Sequence, residues 1–256
     1  MMIEEEVEVK VKVQRIVIAP RMSLKQFAKF CTASLPVRET VLQKSKYPGG
    51  YIPGYHEIAR KIICAAFSSN FNDDEHDVHF EEFSRHAIRL RKEAQAYDGK
   101  TDEHKNRIYS ASALEAMSKI SGIIIPILKR YVLNSNLHMR KDATSIAGVS
   151  VGAVSDLICS TDSGLTIAGF IKFNFTAAAL KKEEAEHMLF VLKKFFHAKH
   201  KIKTDAKDCM VIDVVDGKIY RGIETSNLAE SIQINCEEIR SRWDTIEPPL
   251  RKPKDL

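Results

Sequence analysis

The stretch VSDLICSTDSGLTIAGFIKFNF, residues 154–175, decides how this chain is read. Two apolar runs flank a polar turn, which predicts a pair of short strands joined as a hairpin. Asp156 falls on the first strand and Lys172 on the second, with 15 residues between them. Side chains alternate across a strand, so Phe170, Lys172 and Asn174 share one face and Ile171, Phe173 and Phe175 the other. The all-apolar face belongs to the core. The face that carries Lys172 also carries Phe170, so it is a partly covered surface or a cleft, on which Lys172 can pair with Asp156.

Downstream, KKEEAEHMLFVLKKFFHAKH (residues 181–200) repeats Ala185, Met188, Leu189, Leu192, Phe195 and Phe196 at helical spacing. CMVIDVVDGKIYRG then predicts two strands about a two-residue Asp216-Gly217 turn. NLAESIQINCEEIRSRW predicts a closing helix, with Asn227 and Glu230 at capping spacing. Residues 146–243 therefore read hairpin, helix, hairpin, helix, an α/β pattern with a crossover connection.

Upstream, VEVKVKVQRIVIA alternates apolar and charged residues and predicts a half-exposed strand at 7–18. Ser23 caps a short helix in SLKQFAKFCTASL. QKSKYPGGYIPGY reads as a loop, because its prolines and glycines break any period. A helix near 55–67 places Ile58, Ile62 and Ala65 on one face, and FEEFSRHAIRLRKEAQ predicts another helix. YDGKTDEHKN reads as exposed. Ser112 and Glu115 have capping-box spacing at the start of a helix over 110–133 that Pro126 must bend or interrupt. The chain thus divides into a strand and helical region at 1–145, a core at 146–246 and a tail at 247–256 expected to be mobile.

The bulk composition narrows the function. A hydrophobic share of 44 % supports a real core. A net charge of +5 permits a polyanionic partner without demanding one. Five dispersed cysteines without a C-x-x-C predict neither a disulfide framework nor a cysteine-rich zinc site, and suit a reducing cytoplasm. Glu4, Glu5, Glu6 and Glu8 reverse the charge pattern of a signal peptide. The most apolar run, GIIIPILKRYVL, carries Lys129 and Arg130 and is too short to span a bilayer, so no membrane partner is expected. The chain contains no P-loop, dinucleotide fingerprint or G-x-S-x-G elbow. The pairs His76/His79 and His197/His200 lack further ligands nearby.

A helix, a hairpin bearing an aspartate and then a lysine, a packed helix and a further strand resemble the core of the PD-(D/E)XK (restriction-endonuclease-like) nuclease superfamily. The resemblance covers about 110 C-terminal residues plus the helix near 55–67. It implies an α/β fold with a mostly helical N-terminal half packed on a mixed-sheet core. It also implies phosphodiester hydrolysis assisted by Mg²⁺ or Mn²⁺, in a prokaryotic defence or DNA-processing setting. Asp156 and Lys172 match the motif. Ser155 stands in place of the proline before the aspartate, and Phe170 stands in the slot of the second acid. A phenyl ring cannot hold Mg²⁺, which prefers hard oxygen ligands.

Catalysis would then need an acid from elsewhere. Glu57 lies on the helix where the superfamily often keeps one, and Glu183 and Glu186 lie near the start of the helix after Lys172. The same glutamates at 183 and 186 also suit a helix N-terminus. Two basic runs point to DNA or RNA. One carries Lys193, Lys194, Lys199, Lys201 and Lys203; the other interleaves Lys44, Lys46 and Arg60 with Tyr47, Tyr51 and Tyr55. The first run serves equally as a solvated helix end, and the second as an ordinary rigid loop. The alternative to an endonuclease is a non-catalytic subunit that binds nucleic acid or docks a protein partner in a complex.

Overall fold

The computed structural model describes residues 15–49, 54–68, 76–137, 139, 141–161, 164–222 and 226–249. Its elements run β1 (Arg21–Met22), α1 (Leu24–Thr32), α2 (Leu35–Lys46), α3 (Glu57–Ser68), α4 (His76–Ala94), α5 (Asp102–Lys119) and α6 (Ser121–Leu128). There follow β2 (Val132–Ser135), β3 (Ala143–Ile146), β4 (Val149–Gly152), β5 (Leu157–Thr161), β6 (Thr166–Asn174), α7 (Lys182–His200), β7 (Cys209–Asp213), β8 (Lys218–Arg221) and α8 (Ser226–Arg242). A mostly helical N-terminal half packs on a mixed sheet, an α/β architecture.

The central sheet has five strands in the order β2-β5-β6-β7-β8. β2, β5 and β6 form an antiparallel meander, α7 crosses over, and β7 returns parallel to β6. β7 is buried along its whole length, as a strand covered on both faces must be. Side-chain alternation sorts the core. Ile171, Phe173, Phe175, Met210 and Ile212 pack with α3 to α6. Phe170, Cys209 and Val211 pack with α1, α7, α8 and a small sheet of order β1-β4-β3. The all-apolar face expected from the sequence is thus core, and Phe170 seals the other face against Phe196, with ring centroids 4.9 Å apart.

Local signals explain several elements. Ser23 and Gln26 form the reciprocal capping box that starts α1. The six expected positions of α7 are all buried. Gly169 lies on β6 beside a shift of register between Cys159 and Ser160. A Cβ at Gly169 would sit 2.0 Å from the backbone oxygen of Asp208. Gly169→Ala is therefore expected to lower stability by about 3 kcal/mol or more, read by urea denaturation, because backbone rather than a side chain must move.

Other expectations are corrected. The helix at 110–133 begins earlier, with Thr101 as its cap and Asp102 and Glu103 in its first turn. Ser112 and Glu115 lie mid-helix and instead bind Arg91 of α4. The chain bends by 74° between α5 and α6, before Pro126, which α6 accommodates, and Val132–Ser135 is a strand. The buried residues of α3 are Ala59, Ile63, Cys64 and Phe67; of the predicted stripe, Ile58 and Ile62 are half-buried against the same core and Ala65 is exposed. Residues 43–46 complete α2 rather than opening a loop. Asp213 pairs with Lys218, so the β7–β8 turn has four residues, not two, and the Asp213 carboxylate accepts from the N–H groups of Val215 and Asp216. Asn227 lies inside α8, which begins at Ser226.

The strand expected at 7–18 lies mostly outside the described residues. Its described end is held where Val17 donates to the Lys46 carbonyl and accepts from the Trp243 indole. Tyr51 and most of the C-terminal tail also lie outside them. Among the described residues no single helix is long and apolar enough to cross a membrane.

Candidate functional site

Asp156 sits just before β5, where its N–H donates to the Ile171 carbonyl and its carbonyl accepts from Asn136. The backbone is thus pinned between β2 and β6, and its side chain is fully buried. Oδ1 accepts from Lys172 Nζ at 3.1 Å and from the Arg60 guanidinium at 2.7 Å; Oδ2 accepts from the Phe173 N–H at 2.7 Å. Lys172 arrives from the neighbouring strand, and Arg60 arrives from one turn inside α3. Asp156 and Lys172 therefore meet across adjacent strands, joined by Arg60 as a second cation that no local sequence pattern places there.

One carboxylate with two cations leaves an excess of positive charge. Burial draws the Lys172 pKa down and Arg60 adds to the effect, while Asp156 opposes it. Lys172 and Arg60 line the wall of a cleft of about 670 Å³. Arg15, Arg21, Lys25 and Lys44 line it too, and among the described residues the one carboxylate on its lining is that of Asp142, which Lys199 pairs at 2.9 Å. Lys25, in the first turn of α1, donates to Thr176 Oγ1 at 2.9 Å and lies 3.5 Å from Asn174 Oδ1. Partial withdrawal from water lowers its pKa, partly countered by Glu184 and Asp213. The cleft lies at the carboxyl end of β6, which runs parallel to β7, and open α/β sheets receive ligands at such ends.

The proposed acids are placed differently. Glu57 pairs with Lys61 at 3.4 Å and folds over Gly54, while Glu186 pairs with Lys182 at 3.8 Å. The backbone carbonyl of Glu183 accepts from His187. None of the three lines the cleft. Among the described residues no cluster of three His, Cys, Asp or Glu side chains is arranged for a metal ion. Mg²⁺ or Mn²⁺ fits these residues poorly. Both oxygens of Asp156 are occupied by N–H donors, two of them cationic, and the neighbouring slot holds a phenyl ring in the core.

The basic candidates divide. Lys44 and Arg60 line the cleft. Lys193, Lys194 and Lys199 lie in the last turns of α7, with Lys201 and Lys203 beyond, and none of these lines it. Lys46 is buried, and its ammonium donates to the carbonyls of Trp243, Asp244 and Ile246 at 2.7, 3.1 and 3.3 Å. It clamps α2 to the segment after α8 and is not a phosphate ligand. Lys46→Ala should therefore cost about 2–3 kcal/mol in a thermal or urea melt. Tyr47 joins the same clamp through Ile246, whereas Tyr55 lines the cleft. Arg21, Lys25, His56 and Thr176 escaped the sequence reading. Ser23 marked the helix of Lys25, but nothing local connects that helix to β6.

No protein-family model, curated protein or solved structure matches the chain.

Proposed function

We propose that this chain binds nucleic acid through its phosphates in the cleft, without cutting it, on a restriction-endonuclease-like core. The order of strands supports the core reading: an antiparallel meander, a crossover helix, then a parallel strand, with α3 packed on the sheet and Asp156 and Lys172 at its cleft end. The observation that carries the functional reading is the state of Asp156. Its carboxylate is sequestered by Arg60, Lys172 and the Phe173 N–H, so it organises two cations instead of a metal. Cations lining a cleft neutralise phosphates without reading bases.

The test is a cleavage assay on single- and double-stranded DNA and RNA with Mg²⁺ or Mn²⁺. No cutting above a metal-free control is expected, with binding equal in metal and in EDTA. Metal-dependent cutting that a folded Lys172→Met variant loses would contradict the proposal and restore the endonuclease reading.

A further inference from the structure

We infer that the cleft takes an unpaired nucleotide of a single strand, holding its phosphate on Lys25, Arg60 and Lys172 and its base against His56. This rests on the phosphate-binding reading above and adds which form of nucleic acid the site selects.

The argument starts from His56. It has a backbone φ of 67°, a sparsely populated conformation for a residue with a Cβ. Such conformations persist where the surroundings enforce them, and they gather at ligand sites. Here the surroundings are specific. His56 Nδ1 lies 3.1 Å from the Tyr109 carbonyl, and the ring stacks on Phe175 with centroids 6.0 Å apart and planes 24° apart. The half-buried ring lines the same cleft as the cations. Arg60 joins the two halves: its guanidinium binds Asp156 and lies 5.3 Å from the Phe175 ring centre.

An aromatic group beside phosphate-binding cations is the pairing that single strands require. Their bases offer exposed π-faces, which in a duplex are already stacked on one another. The cleft volume of about 670 Å³ falls in the range that encloses a drug-sized molecule, which suits one or two nucleotides and not a duplex. Burial, with Arg60 and Lys25 nearby, holds the His56 pKa below its ordinary value although the Tyr109 carbonyl opposes this. The ring is then neutral near pH 7 and acts as a stacking plane.

The experiment is fluorescence anisotropy in EDTA at low salt. A short labelled oligonucleotide is compared with its duplex, with a mononucleotide as competitor. The single strand should bind on the order of tenfold more tightly than the duplex. Glycine accepts the backbone of position 56, so His56→Gly should remove that advantage in a variant that a thermal melt shows to be folded. His56→Phe, which keeps a ring, should restore it. Equal affinity for strand and duplex, or a His56→Gly variant with its preference intact, would overturn the inference and leave phosphate binding standing. A mononucleotide that competes as well as the strand would also overturn it, assigning the cleft to a free nucleotide. Failure of every nucleic acid to bind would remove the underlying reading as well.

Discussion

Asp156→Ala is expected to cost about 3–5 kcal/mol of stability, a large share of what holds a typical domain folded. The carboxylate is fully buried and is the shared partner of Arg60 and Lys172. Removing it leaves two cations facing each other with little access to water, and strips the Phe173 N–H of its acceptor. The side chains of Arg60 and Lys172 are only 29 % and 14 % exposed, so solvent screens the loss weakly. Lys172→Met should be milder, because Arg60 still neutralises Asp156 and the methionine fills the space of the lysine stem. Urea denaturation of the two variants beside the parent gives both numbers. An Asp156→Ala protein within about 1 kcal/mol of the parent would mean that the aspartate is a solvated group held ready for chemistry, contrary to its buried, fully partnered setting.

The second large effect concerns affinity. Lys25→Glu combined with Lys44→Glu should weaken nucleic-acid binding on the order of 100-fold or more at low salt, since each charge-assisted phosphate contact is worth about 1.5–3 kcal/mol. Both lysines line the cleft from separate helices, α1 and α2, and neither is buried, so the fold should tolerate the change. The matched control is Lys194→Glu with Lys203→Glu, on the end of α7 and the segment after it, outside the cleft lining. That pair should change affinity several-fold at most, through the long-range field alone. Equal losses from both pairs would move the binding surface from the cleft to the end of α7. Electrophoretic or anisotropy titrations on the folded variants decide between them.

The sequence made the centre of the fold legible where one physical signal dominated. Period-two alternation at 170–175 sorted the two faces of β6, and helical spacing at 185–196 identified the buried side of α7. Ser23 and Gln26 carried their own capping chemistry. Elements held by distant partners were not legible. β2 and β3 are four residues each and owe their state to pairing with β5 and β4. The β3–β4 turn places Ala147 at a φ of 45°, which an alanine does not announce. The start of α5 was marked by Thr101, Asp102 and Glu103, and the stronger-looking Ser112–Glu115 spacing obscured it. At the site, the meeting of Asp156 and Lys172 followed from the hairpin alone. The arrival of Arg60, Lys25 and His56 did not, because each depends on how a helix far off in sequence docks on the end of the sheet. That docking changes the chemistry: a lone aspartate on a strand invites a metal, whereas this one is clasped by two cations, as the proposed phosphate-binding role requires.

The central claim is that the cleft binds phosphates by charge, with no metal. Its most direct measurement is the affinity for a single-stranded oligonucleotide in EDTA as a function of salt. With about three to five cations engaged, log K should fall against log salt with a slope of about −2 to −3.5. The Lys25→Glu, Lys44→Glu protein should show a shallower slope. A parent protein that binds nothing at low salt without metal, or that binds with no dependence on salt, would contradict it.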